Sequence, residues 1–310
     1  MPEGHSIHRL ARQFTDVFAG QSLRVSSPQG RFDAGARLLD GQVLHGARAH
    51  GKQLLLDFGA GEDVQRVLRV HLGLYGAFSF GGDETFRGAS SIGAPRRMGE
   101  TDTFEAQGQG PDAGPAIAYT GPPEPVGQVR VRLSSDHGWA DLRGPSVCEV
   151  LTPAEAGAVV DRLGPDPLVP GTGAEEFLQR VSGRGVALGQ LLMDQAVLAG
   201  VGNIYRAESL FRQGLDPWLP GRRLSRPDGT ALWEDLVRLM NDGVREGRII
   251  TTRLEHRGSV DEQGEPAPVW PDNAHYVYQR DGLGCRVCGT DVRMAQMQAR
   301  KLYWCPACQS

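Results

Sequence analysis

The sequence predicts an α+β protein with an N-terminal β-sandwich flanked by helices, a helical C-terminal domain and a short terminal β-hairpin module. Three observations support this fold class. Short apolar runs separated by glycines fill residues 1–150, helix signals begin at Thr152, and four of the five cysteines lie near the end of the chain. A chain of 310 residues can hold two domains and a small additional module.

The first domain is predicted to begin with a helix over residues 5–19, because Ile7, Leu10 and Phe14 recur at helical spacing. Six apolar runs typical of strands follow, at residues 42–44, 53–58, 64–72, 77–80, 128–133 and 138–142. Residues 81–126 lack periodicity and are rich in glycine and proline pairs, so we predict a mobile insertion there.

The second half of the chain carries helix signals. Thr152 can cap a helix, and it is followed by a proline at the first helical position and a glutamate three residues after the cap. Further helices are predicted at residues 174–181, 187–195, 203–213 and 229–246. We therefore predict a domain boundary near residue 150, a helical domain over 151–252, a connecting loop over 253–275 and a terminal module over 276–310.

The terminal module contains two close cysteine pairs separated by 16 residues, Cys285 with Cys288 and Cys305 with Cys308. This spacing can place four thiolates tetrahedrally around one Zn²⁺. Two disulfides are the alternative, as in short secreted domains. The chain begins without an apolar stretch, which favours zinc and a reducing cytoplasm. Four cysteine ligands leave no open position, so the zinc is expected to be structural and a zinc hydrolase is disfavoured.

The formal net charge of −4 argues mildly against a nucleic-acid partner, but its distribution changes this view. Residues 1–82 carry nine Lys/Arg against seven Asp/Glu, and residues 276–310 carry five against two. Both ends are therefore basic, which is compatible with a local positive surface for DNA. No run of 18 apolar residues occurs, so no membrane partner is expected.

Two predicted helices are joined by the turn Gly200-Val201-Gly202-Asn203. Glycines at the start of a helix let backbone amides approach a phosphate closely, and Asn203 is placed to cap the second helix. The hydrophobic pattern alone favours an ordinary helical hairpin over a phosphate-binding turn.

Other strings accompany this turn in a fixed order along the chain. They are Met1-Pro2-Glu3-Gly4 at the start, Gly51-Lys52, Val277-Tyr278-Gln279-Arg280-Asp281-Gly282, and Arg300-Lys301-Leu302-Tyr303-Trp304-Cys305-Pro306-Ala307-Cys308-Gln309 at the end. Together with the turn they resemble the formamidopyrimidine-DNA glycosylase and endonuclease VIII family over essentially the whole chain apart from residues 81–126. The resemblance implies a helix–two-turn–helix domain, a zinc finger, and a monomer that binds double-stranded DNA containing oxidised bases or abasic sites.

The resemblance also implies a bifunctional DNA glycosylase with apurinic/apyrimidinic lyase activity. Pro2, exposed when Met1 is removed, would be the nucleophile, since an α-amine has a pKa near 8 whereas that of lysine is about 10.4. Glu3 would be the general acid/base, and Lys52 would hold a phosphate and assist elimination. Taken alone, Pro2 is also explained by methionine removal, and Lys52 by an ordinary solvated lysine.

Several further residues resemble the DNA contacts of the family. Asn203 and Arg300 would bind phosphates while the damaged nucleotide flips outward, and the resemblance also implies that Arg300 is one of the catalytic residues. His71 resembles a phosphate contact, although a single histidine is often structural. Leu74 and Tyr75 would fill the gap left in the base stack, and the alternative is that they are two core residues at a strand end.

Two departures from the family pattern bear on the substrate. Gly4 resembles the endonuclease VIII branch, and Ser6 replaces the usual second acidic residue. The loop over residues 251–275 does not resemble a purine-capping loop. We therefore expect oxidised pyrimidines as substrates. The alternatives are an oxidised-purine (8-oxoguanine or formamidopyrimidine) glycosylase of the same family and a non-catalytic protein that binds damaged DNA.

Overall fold

The structure is a computed structural model that describes residues 2–61, 63–94, 119, 121–257, 269 and 271–310. It divides into two compact units, Met1–Asp161 and Arg162–Ser310. Much of the predicted mobile insertion, residues 95–118 and 120, lies outside the described residues. The same holds for part of the predicted connecting loop, residues 258–268 and 270.

The described residues of the first unit form two antiparallel sheets and three helices. Its elements are α1 (Gly4–Phe18), β1 (Arg24–Ser26), α2 (Asp33–Leu39), β2 (Val43–His50), β3 (Gln53–Gly59), β4 (Arg66–His71), β5 (Ala77–Gly82), β6 (Ser91–Gly93), β7 (Val129–Ser134), β8 (Gly138–Arg143), β9 (Val147–Leu151) and α3 (Pro153–Val160). One sheet has the order β1-β7-β8-β5-β6 and the other the order β2-β3-β4-β9. Helix α3 begins at the predicted capping box, in which the Thr152 side chain and Glu155 bond to each other's backbone N–H.

The hydrophobic core of this unit joins helix α1 to both sheets. Its aromatic centre is Phe14, whose ring centroid lies 4.9 Å from that of Phe78 and 5.2 Å from that of Phe80. Edge-on aromatic pairs of this kind add to the stabilisation given by burial alone. Since Pro2 and Glu3 directly precede α1, this packing fixes the amino terminus relative to the sheets.

Strand β2 runs to His50, well beyond the predicted end at Leu44. Its pairing with β3 shifts register between Leu44 and Gly46, and a β-bulge of this kind accommodates a glycine inside a strand. Strands β1, β6 and β9 and helix α2 were not predicted, because each is short and lacks a clear period. Strand β6 lies within the predicted mobile insertion, and Phe86, Ala89 and Ile92 are buried in the core, so the start of that insertion is wrongly assigned and belongs to the sheet.

Gly76, which ends the connection between β4 and β5, is expected to tolerate no side chain. A Cβ atom there would lie 2.2 Å from the Leu72 carbonyl oxygen. We expect Gly76→Ala to lower the free energy of unfolding by about 1–3 kcal/mol in urea titrations, because the backbone at Leu72 must move to make room for the new methyl group. Gly157→Ala is the matched control: its Cβ would meet nothing within 4 Å in helix α3, so a gain of about 0.5–1 kcal/mol is expected. Equal effects of the two changes would contradict this assignment.

The second unit is helical and ends in a hairpin. Its elements are α4 (Ala174–Ser182), α5 (Leu188–Leu191), α6 (Asn203–Arg212), α7 (Arg226–Glu246), β10 (Arg293–Met297) and β11 (Arg300–Trp304). Its helical core contains Phe177, Tyr205, Trp233 and Leu236 among its members. The predicted α+β fold class is thereby confirmed. Within the described residues, no helix is long and apolar enough to cross a bilayer.

Two expectations about the turn before α6 are wrong. The helix predicted over residues 187–195 ends at Leu191, because the Gln195 side chain forms hydrogen bonds with the backbone of the turn that follows. Its side chain accepts from the Gly200 N–H at 3.0 Å and donates to the Val201 carbonyl at 3.0 Å. Asn203 does not cap α6: it is the first helical residue, and Gly202 occupies the cap position.

Glu208 attaches the terminal segment to helix α6. This fully buried carboxylate accepts hydrogen bonds from the backbone N–H groups of Tyr276, Val277 and Tyr278, each at 2.8 Å, and from the Thr251 hydroxyl. Charge-assisted hydrogen bonds are stronger than neutral ones, and several together compensate a buried charge. The start of the hairpin module is therefore held at one place on α6.

Candidate active site and metal centre

The amino end of helix α1 carries the predicted nucleophile and acid. Pro2 and Glu3 are both buried, and Glu3 precedes the first helical residue. His5, two residues after Glu3, is also buried, and its Nε2 lies 3.1 Å from the Ser6 hydroxyl. Burial, followed by the nearby charge of Arg9, lowers the pKa of His5 to about 3. The imidazole beside the predicted site is therefore neutral at physiological pH.

The structure brings Lys52 and His71 near each other in the same unit. Lys52 lies in the turn between β2 and β3, and His71 ends β4. Burial, followed by the charges of Lys52 and Arg69, lowers the pKa of His71. The Gly73 N–H donates to His71 Nδ1 at 3.1 Å, and the Ser146 hydroxyl lies 2.8 Å from the same nitrogen. Because Nδ1 accepts from Gly73, the neutral ring in this arrangement carries its proton on Nε2.

Leu74 and Tyr75 lie in the connection between β4 and β5. Their exposed fractions are 54% and 81%, so the alternative that they are core residues is wrong. Two large apolar side chains in adjacent exposed positions can enter a stack of bases. Their insertion into DNA stays a prediction.

In the second unit the structure joins Asn203 to the strand that carries Arg300. Asn203 Nδ2 donates to the Lys301 carbonyl at 2.9 Å, and Arg206 donates to both Asn203 Oδ1 and the Lys301 carbonyl. Arg300 is the preceding residue and is exposed. Sequence reasoning missed Arg206. The available signal was an arginine three residues after Asn203, hence on the same face of the helix.

The four clustered cysteines are arranged as a metal-binding group. Their Sγ atoms lie within 4.8 Å of one another, with Cys285–Cys308 at 3.9 Å and Cys288–Cys305 at 3.4 Å. These separations exceed an S–S bond of about 2.05 Å, so the disulfide alternative is wrong. Four thiolates about 2.3 Å from a tetrahedral ion would be about 3.8 Å apart, which the observed distances match.

The thiols of this cluster differ in acidity. Hydrogen bonds from Thr290, the side-chain bond first, lower the pKa of Cys288 to about 6. Burial raises the pKa of Cys305 and of Cys308. The cluster thus combines one accessible thiolate with sheltered thiols, and together they could bind a metal ion.

Comparison with known proteins places this fold in a class of DNA-repair enzymes. The N-terminal domain model of formamidopyrimidine-DNA glycosylase matches residues 1–138, and the formamidopyrimidine-DNA glycosylase H2TH domain matches residues 163–254. The chain is 43% identical over 311 residues to Endonuclease 8 1 of Mycobacterium tuberculosis, with both chains covered completely. It is 31% identical over 317 residues to formamidopyrimidine-DNA glycosylase of Bordetella avium, covering 100% of this chain and 99% of that one.

The chain therefore belongs to the formamidopyrimidine-DNA glycosylase and endonuclease VIII family, whose members are DNA glycosylases with abasic-site lyase activity. The fold agrees with a solved complex between a mutant Lactococcus lactis FPG and Fapy-dG containing DNA. The TM-score is 0.71 at 16% identity, and both chains are covered completely. At that identity the likeness concerns the fold alone, and the predicted family membership is confirmed by the closer sequence relatives.

Proposed function

We propose that this protein excises oxidised pyrimidines from double-stranded DNA and cleaves the resulting abasic site by β- and then δ-elimination. The observation that carries the proposal is the buried Pro2-Glu3 pair at the amino end of α1. A protein that only bound damaged DNA would need neither an amine nucleophile nor an acid at this place. The presence of Lys52 in the same unit adds to the argument.

The nucleophile is the Pro2 nitrogen after removal of Met1. This secondary amine attacks C1′ of the damaged nucleotide, so a C1′–N bond forms while the glycosidic bond breaks, and the amine proton passes to the departing base. Glu3 donates a proton to the ring oxygen as the C1′–O4′ bond opens, which leaves an iminium ion on Pro2. The iminium acidifies C2′–H, so loss of that proton expels the 3′ phosphate. A further elimination expels the 5′ phosphate, and Lys52 assists by holding phosphate.

Each unit supplies its own donors for DNA. In the second unit the amide of Asn203 and the guanidinium of Arg300 bind backbone phosphates. In the first unit the Nε2–H of His71 donates to a phosphate, which its neutral tautomer allows. Leu74 and Tyr75 fill the space vacated by the flipped nucleotide. Extruding a nucleotide costs a few kcal/mol, and these contacts offset that cost.

The four-cysteine cluster holds one structural Zn²⁺. An all-thiolate donor set with tetrahedral spacing suits zinc, and it leaves no coordination position for substrate. When bound, the ion would join the two cysteine pairs and would take no part in the reaction on DNA. The cysteines thereby support the β10–β11 hairpin, in which Arg300 pairs with Met297.

The choice of oxidised pyrimidines rests on Gly4 and Ser6 and on the Endonuclease 8 1 relative. We expect the purified enzyme to excise thymine glycol and dihydrouracil faster than 8-oxoguanine opposite cytosine, in single-turnover assays on matched duplexes. Borohydride should trap the enzyme covalently on the same duplexes. Much faster excision of 8-oxoguanine would instead identify the oxidised-purine alternative, and binding with neither excision nor trapping would identify the non-catalytic one.

A further inference from the structure

Arg206 is the largest fully buried side chain among the described residues, with 0% of its surface exposed. A guanidinium keeps its charge inside a protein, so its burial is costly unless its N–H groups are bonded. It lies one turn into α6, on the surface of that helix that meets the hairpin. A buried cation in this place needs an explanation beyond helix packing.

The guanidinium joins three separate pieces of the second unit. Its Nη2 donates to Asn203 Oδ1 and, at 3.1 Å, to the carbonyl oxygen of Lys301 in β11. Its Nη1 lies 3.5 Å from the Gly189 carbonyl in α5. The planar fork of an arginine can hold several acceptors in fixed directions, which a lysine cannot.

These bonds determine how the Asn203 amide is oriented. Arginine is only a donor, so the amide atom facing Arg206 must be Oδ1. Nδ2 then bonds to the Lys301 carbonyl with one hydrogen, at 2.9 Å, and its second hydrogen remains for a ligand. Without Arg206, Oδ1 would lose its donor, and the single bond from Nδ2 to the Lys301 carbonyl would be left to hold the amide in this orientation.

The same bonds hold the start of strand β11. The turn before it contains Gln298 and Ala299 with φ values of 49° and 57°, the pattern of a tight two-residue hairpin. Arg300 follows directly. The Lys301 carbonyl receives donors from both Asn203 and Arg206, so the backbone beside Arg300 is fixed to helix α6.

We propose that Arg206 is a positioning residue for DNA phosphate binding, which directs the Asn203 amide hydrogen outward and fixes the strand that carries Arg300. This inference rests on the proposed function, in which Asn203 and Arg300 bind phosphates. Arg206 is buried and itself acts only through these neighbours.

A double-mutant cycle tests the proposal with a duplex containing a tetrahydrofuran abasic analogue. The dissociation constant and its salt dependence are measured for the wild type, Arg206→Met, Asn203→Ala and the double variant. We expect Arg206→Met to weaken binding about tenfold, and to lower the salt slope by up to about one through the loosened phosphate contact of Arg300. The double variant should bind less weakly than the sum of the two single changes, because both changes remove the Asn203 contact.

Arg212→Met is the matched control on the same helix. Arg212 is largely but not fully buried, with 8% of its side chain exposed, and it binds Asp235 and the Thr251 carbonyl, while Asp235 keeps a second partner in Arg238. Its loss should destabilise the fold, leave the dissociation constant of folded protein within twofold, and add independently to Asn203→Ala. Should Arg206→Met fail to fold, Arg206→Lys replaces it in the cycle, since it keeps the charge without the fork.

Two outcomes overturn the role of Arg206: an unchanged dissociation constant in folded Arg206 variants, or full additivity with Asn203→Ala. Failure of the wild type to prefer the abasic duplex over undamaged DNA, or to excise any lesion, contradicts the proposed function instead. The two failures can be distinguished, because the role of Arg206 is tested only once the wild type has been shown to bind the abasic duplex and to excise a lesion.

Discussion

Protein that retains one residue in front of Pro2 is expected to lose base excision by on the order of 10⁴-fold or more, as when other enzymes lose their nucleophile. An amide nitrogen has no available lone pair, so it can neither attack C1′ nor form an iminium. Single-turnover excision and borohydride trapping on a lesion duplex measure the effect. The extended and the processed protein should be compared from one preparation, in which a protease removes the added residue.

Glu3→Gln separates the two chemical roles at the amino terminus. This variant keeps the amine but loses the acid, so excision of a base should fall by about 10²–10⁴-fold. Trapping on a ready-made abasic site should persist, because that sugar already opens to an aldehyde without loss of a base. Full excision by the extended protein would refute the Pro2 mechanism, and loss of trapping by Glu3→Gln would show that this variant also damages the nucleophile.

Removal of the metal from the cysteine cluster is the second change with a large expected effect. Structural zinc contributes on the order of 10–16 kcal/mol to the folding of small zinc modules. The core around the cluster has few other apolar members, among them Phe211, Tyr276 and Tyr303. We expect Cys305→Ser, or strong chelation, to unfold the hairpin and to abolish tight binding to an abasic duplex. Metal content and fluorescence anisotropy of labelled DNA provide the measurements.

Cys148→Ser is the control for that experiment. Cys148 is the one cysteine outside the cluster, and it packs against the core of the first unit, where burial raises the pKa of its thiol to about 12. Its replacement should leave the bound metal and the DNA affinity unchanged. Undiminished affinity of a metal-free Cys305→Ser protein would show that the hairpin needs no ion.

The features of this protein that could be predicted are those whose signal residues lie close together along the sequence. Helix α1 follows from the spacing of Ile7, Leu10 and Phe14, and the cysteine cluster follows from two close pairs. The α3 capping box likewise lies within four consecutive residues. In the helix and the capping box the residues that carry the signal are a few positions apart. In the cluster each cysteine pair is local, although the nearest Sγ contacts join one pair to the other across 17 and 23 positions.

The less predictable parts depend on partners that are distant along the chain. Arg206 and the Lys301 carbonyl are 95 positions apart, and Glu208 and Tyr276 are 68 positions apart. Backbone atoms are present at every residue, so such bonds leave no signal at the partner's position. The misassigned cap has a similar cause: Asn203 is an excellent cap residue, but its amide is engaged by the hairpin.

The bonds of Glu208 have a consequence for the evolution of this chain. At Tyr276, Val277 and Tyr278 the groups that donate to Glu208 are main-chain N–H groups. The Lys301 group that accepts from Arg206 is likewise a main-chain oxygen. Mutation cannot remove these backbone partners, except by proline in the case of an N–H group. Substitutions along the attached segment therefore leave these bonds to the helix in place, and the identity of Tyr276 and Val277 is constrained by their burial in the core instead.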